Sequence, residues 1–402
     1  MWLRLALGAA LLGQVASCRQ VLGLDDVRVA ADAAPDSADA AVDATLIDAA
    51  CWTAQNLDNP CDFVGTSDVV IPPATSGTVL FSGATGKFVS SSGAELAQVP
   101  CITVLQVSNN LLRVCVMKSL DMSHKSLSIT NEDGAIAFVV HGDATVNNVS
   151  LSTIAPDVAT RNLCMSTRGA DSAASPAGGA GGSGISQGGN GGAGASTPIA
   201  AGGIAGPAIL NASLVPIITG CRGSTGGRVT GGDVGGSSVS GGGAFELAAA
   251  GTITVEGFID AAGRGGNAGA KSTTGTGGAG GGGGAGGALL LNGARIVVLG
   301  TGKISANGGG GGAGGGGTNG STNNSTNLMA AKGGVGALLS GNGGDGGFGV
   351  GATATGNPGA VAGVADRGAG GGGGGTGRIV LTAREPGGLV ITAGAVITPL
   401  PN

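Results

Sequence analysis

Glu246, Glu256 and Asp260 stand close together in the chain, with Arg264 just beyond them. Glycoside hydrolysis needs two carboxyl groups about 5–10 Å apart across a groove, one acting as acid and the other as base or nucleophile. Placed on one face of a strand-rich segment, these residues would supply such a pair. Little in the sequence would hold a sugar between them, because tyrosine is absent and the tryptophans are Trp2 and Trp52. The simpler reading puts the carboxylates on the solvated side of strands and turns, so no catalysis is expected. His124 and His141 lack a nucleophile or carboxylate at catalytic spacing and read as surface or turn residues. Gly341-Asn342-Gly343-Gly344-Asp345-Gly346-Gly347-Phe348 is similar to a calcium-binding nonapeptide, but its apolar residue is displaced by one and no second copy follows. Gly302-Lys303-Ile304 lacks the Ser or Thr that a phosphate loop places after its lysine, and Lys303 reads as an exposed turn charge. No cofactor or metal is expected.

The remaining chemistry belongs to sulfur. Val15-Ala16-Ser17-Cys18 closes an apolar run, Leu5 to Ala16, that follows the positive charge of Arg4. The run has signal-peptide length and is too short for a permanent spanning helix. The tetrapeptide resembles the lipobox of bacterial lipoprotein signals. That resemblance implies export, cleavage before Cys18, a diacylglyceryl group on its thiol and an acylated amine. The membrane partner would be reached through lipid, and two or three acyl chains at roughly 0.8 kcal/mol per methylene anchor stably. Arg19, where enteric inner-membrane lipoproteins carry Asp, favours the outer membrane. Residues 1–17 are then signal peptide, and 18–50 a lipidated cysteine with an acidic tether. In the tether Asp25, Asp26, Asp32, Asp36, Asp39, Asp43 and Asp48 lie among alanines, with Pro35. Such a stretch buries too little apolar surface to offset chain entropy.

Setting Cys18 aside leaves Cys51, Cys61, Cys101, Cys115, Cys164 and Cys221 as candidate disulfide partners in an oxidising compartment. Many connectivities stay open. Joining neighbours, 51 with 61, 101 with 115 and 164 with 221, closes loops without crossings. Zinc is disfavoured by the absence of a C-x-x-C pair.

The elements that must position all this are repetitive. The chain has 88 glycines and 2% aromatic residues, about three times the usual glycine share, without the strict G-X-Y register of collagen. A formal charge of −5 argues against nucleic acid as a partner. A unit of about twenty residues recurs from Ala135, Ala244, Ala288 and Arg378. Each copy holds three short apolar stretches separated by Gly, Asn or Pro, such as Phe245-Glu246-Leu247, Ile253-Thr254-Val255 and Phe258-Ile259. Alternation without a 3.6-residue period predicts strands. One copy cannot bury its own inward residues, so copies must stack. The expected fold is all-β, a parallel β-helix (solenoid) with long glycine-rich loop insertions; the alternative is a β-sandwich. Residues 51–165 are its N-terminal β region, 166–243 a glycine-rich insertion and 244–402 further coils with insertions.

The inserts, Ser166 to Gly243, Gly263 to Gly287 and Gly308 to Gly377, are expected as flexible low-complexity loops. The period of three in GGAGGS and GGNGGA suits another state, three-fold polyglycine helices bundled by hydrogen bonds between segments.

Lipobox, acidic tether, recurring unit and GGA tracts together resemble glycine-rich, β-helix-like surface lipoproteins of myxobacterial (deltaproteobacterial) type. The resemblance implies an exported protein at the outer membrane or cell surface, structural or adhesive, touching extracellular polysaccharide or further copies of itself. A polysaccharide-binding or polysaccharide-cleaving β-helix protein is the alternative.

Overall fold

The computed structural model describes residues 52–401 except 58, 64, 66, 72–76, 131–133, 152–161, 230–231, 272–276, 323–328, 350–353 and 365–366. The signal, Cys18, the tether and Cys51 lie outside the described residues.

The chain is all-β with almost no helix. Seven strands come first: β1 (Asp68–Val70), β2 (Thr78–Ser82), β3 (Lys87–Val89), β4 (Glu95–Gln98), β5 (Cys101–Leu105), β6 (Leu111–Met117) and β7 (Ser119–Thr130). The recurring unit supplies the others. Its first copy forms β8 (Ala135–Val140) and β9 (Ala144–Ser150), and its second β10 (Ala244–Ala249), β11 (Thr252–Val255) and β12 (Phe258–Asp260). The third forms β13 (Ala288–Gly293), β14 (Arg295–Val298) and β15 (Lys303–Ser305), and the fourth β16 (Arg378–Ala383), β17 (Leu389–Ile391) and β18 (Val396–Thr398). Lys303, expected in a turn, opens β15 because Ile304 beside it is drawn into the core.

Two large sheets result. One runs β16-β13-β10-β8-β6-β5, and the other holds twelve strands, including β17-β14-β11-β9-β7. The copies pair in parallel and in constant register, so Ile136, Phe245, Leu289 and Ile379 lie side by side. Ala144, Ile253, Ile296 and Leu389 form a second such row, and Val149, Ile259, Ile304 and Ile397 a third. Antiparallel pairs β2–β3, β3–β4 and β5–β6 occur only toward the N-terminal side. The inward positions are β-branched or large, which suits a pleated surface and stiffens each row. Between the sheets lies one apolar core. Phe81, Phe138 and Phe245 step through it with ring centroids 5.0 and 5.3 Å apart, edge to face, and Phe88 joins Phe81 at 4.5 Å.

The six-stranded sheet is covered on its other face too. Leu57, Leu210, Leu214 and Ile217 pack there against Ala137, Ala248 and Leu290. Every residue of β8, β10 and β13 is therefore buried, where a one-sided sheet would alternate.

Cys101 and Cys115 face each other across β5 and β6 and are bridged, with Cα atoms 4.1 Å apart. Cys164 is bridged to Cys221 over a separation of 57 residues. Cys61 is also disulfide-bonded. These bonds fit an oxidising, extracellular or periplasmic environment. Among the described residues no helix is long and apolar enough to cross a membrane. Replacing Cys164 and Cys221 together by Ser is expected to lower unfolding free energy by about 2–5 kcal/mol, read by urea titration. A loss below about 0.5 kcal/mol would show that the bond constrains nothing.

Candidate functional site

The glycine-rich segments are continuations of the strands, and the expectation of flexible loops fails. Segment 261–270 runs out from β12, and 278–287 runs back into β13. Likewise 306–316 leaves β15, 368–377 returns to β16, and 233–243 leads into β10. Segment 278–287 shows how they cohere. Its N–H groups at 278, 281, 284 and 287 donate to carbonyls of 270, 267, 264 and 261. Those at 279, 282 and 285 donate to 227, 224 and 221, and those at 280, 283 and 286 to 369, 372 and 375. All ten bonds measure 2.8–3.1 Å. Three neighbours addressed in strict rotation define a three-fold extended helix, the polyglycine II arrangement. Glycine is required here by contact. A Cβ on Gly282 would lie 1.9 Å from the Ala180 carbonyl oxygen, and one on Gly374 would lie 2.0 Å from that of Gly284. At about 3.1 Å per residue, a ten-residue segment is about 30 Å long.

Because segments run out and back, their turns gather at the end remote from the sheets. Seven such turns occur among the described residues, closing at 170–177, 194–200, 229–233, 270–278, 314–317, 337–340 and 362–368. Polar contacts tie them to each other. Ser175 Oγ donates to the Arg367 carbonyl and accepts from Ala195 N, and Gly363 N donates to the Leu339 carbonyl at 2.9 Å. Asp171 joins Arg168 and Arg228 nearby, accepting the Arg228 backbone N–H at 2.8 Å. Partial burial would raise its carboxyl pKa, but the Arg228 hydrogen bonds and both guanidinium charges outweigh that and hold it below the usual range.

Large apolar side chains crown this end. Leu338 is 81% exposed and Ile199 72%, and Val234, Val335, Leu339, Val361 and Val364 are exposed as well. Leu339 has φ 63°, in a turn closed by the Ser340 N–H to the Ala337 carbonyl. That third position of a tight turn normally takes Gly or Asn, and a leucine there costs about 1–3 kcal/mol. In a chain with 88 glycines, leucine occupies a place where glycine would be strain-free. The sequence signal was available as two adjacent leucines inside a glycine-rich stretch. It went unread because those stretches were expected as loops.

The sequence-predicted carboxylates do not converge. Phe245 and Leu247 point into the core, so Glu246 between them points to the outer face of the six-stranded sheet. Asp260 lies on the twelve-stranded sheet beside the inward Ile259, and Glu256 follows the end of β11. The core separates Glu246 from the other two, so the three line no common face. Arg264 is exposed in the glycine bundle, its carbonyl accepting from Gly284. His124 is exposed, and His141 is half-buried against the Phe63 carbonyl. Glu246 is fully buried, contrary to its expected place on the solvated side. Asn56 Nδ2 donates to its Oε2 at 3.0 Å, while Oε1 has no partner among the described residues. Burial pushes its pKa up to about 7, with the Asn56 bonds opposing. Burial likewise raises Asp260 to about 6 against the hydrogen bond from Ala262 N.

No protein-family model, curated protein or solved structure matches this chain.

Beside Glu246, Trp52 lies under the Arg384 guanidinium, 4.7 Å from the ring centroid, and Arg384 donates to Asn292 Oδ1 and the carbonyls of Ala249 and Ala250. This cluster fastens the segment around Trp52 to the sheet and presents no groove. Recesses in the protein surface lie on the bundle's flank around Arg168, one of about 280 Å³ reaching Cys164 and Arg222. Among the described residues no group of His, Cys, Asp and Glu is placed to hold a metal ion. Leu338, Ile199, Val234 and Val361 at or beside the turns are among the exposed aliphatic side chains, which also include Leu105 at the end of β5 and Val107 just beyond it.

Proposed function

We propose that the protein is a lipid-anchored structural or adhesive component of the cell surface, exported to the outer membrane and attached through Cys18. In this reading the stacked copies form a parallel β-solenoid, a rigid base from which the glycine bundle projects. The observation that carries it is the ordered bundle with its turns collected at one end. Straight hydrogen-bonded segments convert a chain of small residues into a stiff spacer, and many weak contacts at its end add through multivalency. The constant register of the four copies supports the solenoid, since each row of inward side chains continues through successive copies. Lack of convergence among Glu246, Glu256 and Asp260 supports a non-catalytic role.

Fatty-acid labelling of cells is expected to mark the wild-type protein and leave Cys18→Ala unlabelled; equal labelling would overturn the anchor. The full Cys18→Ala chain is expected to be retained on extracellular polysaccharides or on itself without releasing new reducing or unsaturated ends. Release abolished by Asp260→Asn would make the protein a polysaccharide-cleaving enzyme instead.

A further inference from the structure

We propose that the remote end of the glycine bundle docks on a lipid bilayer, its aliphatic turn residues entering the acyl boundary. The inference rests on the display reading above and names the partner of that same end.

Shape is the first argument. Leu338 with Leu339, Ile199 and Val361 stand on or beside three turns that project outward, and none of the four lines the recesses around Arg168. A protein partner would need a matching concavity for each projection. A fluid bilayer closes around all of them at once, and burial of exposed aliphatic side chains drives it.

Chemistry is the second. Sugar recognition uses aromatic platforms and convergent polar groups, whereas the large apolar side chains exposed at the tip are Leu, Ile and Val. Behind the tip, backbone N–H groups are satisfied between segments, as along 278–287, so little unpaired polarity opposes approach to an apolar phase. Charge is the third. Among the described residues the turns carry no uncompensated acidic run that would oppose an anionic surface, since Arg168 and Arg228 pair with Asp171, and Lys271 and Arg367 stand against Asp233. The fourth argument is Leu339 itself, kept at a positive φ where its side chain is more than half exposed. A strained apolar residue in water fits a residue selected for what it meets.

The test uses the mature chain from position 18 carrying Cys18→Ala, which lacks both the apolar signal and the acyl chains, and vesicles of three parts phosphatidylethanolamine to one part phosphatidylglycerol. The protein is expected to co-sediment with the vesicles. Leu338→Gln combined with Leu339→Asn, which adds no charge and suits the turn, is expected to weaken partitioning at least tenfold with a thermal midpoint no lower than that of the wild type. Absence of co-sedimentation, or equal co-sedimentation by the double variant, would overturn the proposal. So would a double variant that changes only the oligomeric mass in light scattering, since a second copy would then be the occupant. Acyl labelling at Cys18 is independent of these readings, so failure of the anchor and failure of the bilayer contact are separable.

Discussion

Gly282→Val is expected to melt the glycine bundle while the β-sheets persist. The added Cβ would stand 1.9 Å from the Ala180 carbonyl oxygen and 2.4 Å from its carbon. Neither atom can rotate aside as a side chain would, because Ala180 O already accepts the Ser224 N–H at 2.9 Å and Gly282 N donates to Ser224 O at 2.9 Å within the same lattice of bonds. Relief requires moving a whole segment, which strips hydrogen bonds from its three neighbours together. Overpacking in ordinary cores costs about 1–3 kcal/mol; here the loss should be at least about 4 kcal/mol, because buried N–H and carbonyl groups lose partners as well. Gly232→Ala serves as the control, since the nearest atom its Cβ would meet is Val229 Cγ1 at an ordinary 3.5 Å. Amide exchange decides the matter. Protection should vanish across 221–227, 261–270 and 278–287 and survive in β8, β10 and β13. Retained protection in the bundle would mean that its segments slide independently and that the contact is not a constraint.

The same contacts explain what the amino-acid sequence could and could not tell. Strand rows were legible because inward positions are large or β-branched, so Ala135, Ala244, Ala288 and Arg378 marked starts that the structure holds in register. The bundle was only half legible. GGAGGS and GGNGGA carry a period of three, but hydrogen atoms in place of side chains leave nothing to say which neighbour lies parallel or how far a segment slides. Its register is instead set by the strands, since 278–287 and 368–377 inherit the pairing of β13 with β16. Glu246 was misread for a different reason. Alternation assigns it to the face away from Phe245 and Leu247, and that face would be wet if nothing covered it. Ala244 and Ala248 share the face and are both buried, so small apolar neighbours were the available sign that another segment lies on top.

Two consequences follow for how the molecule works as a unit. Stiffness at the turns depends on continuity with the sheets, since 261–270 and 278–287 are direct extensions of β12 and β13. A disturbance in the core rows would therefore reach the tip as a change in segment register. The reverse path is weaker, because Leu338 and Ile199 are exposed and pack on nothing that orders the core. Tip residues can thus vary with the partner while the scaffold stays fixed, an arrangement loops on rigid frames commonly use.

Raising the pH from 4.5 to 8 is expected to destabilise the wild-type chain, and Glu246→Gln is expected to remove most of that slope. Burial holds the Glu246 pKa at about 7, above the ordinary 4.5 of a solvated glutamate. Between those values the folded chain keeps a proton that the unfolded chain has released, so stability falls as pH rises and levels off above the folded pKa. The difference corresponds to roughly 3 kcal/mol at 1.36 kcal/mol per unit. Asp260, raised to about 6, adds loss of the same sign at somewhat lower pH. Glutamine keeps the acceptor for Asn56 Nδ2 and cannot ionise, but its amide nitrogen inherits the site where Oε1 lacks a partner among the described residues. Its net gain at pH 8 should therefore be about 1–3 kcal/mol, smaller than the full proton linkage. Urea unfolding at several pH values measures both curves. A Gln variant with the wild-type slope would show that Glu246 reaches water; a wild type that gains stability over this range would mean that an unrecognised cation neutralises it. With the expected result, Asn56 and the segment around Trp52 are held most firmly where Glu246 is neutral, because ionising it places an unpaired charge beneath them.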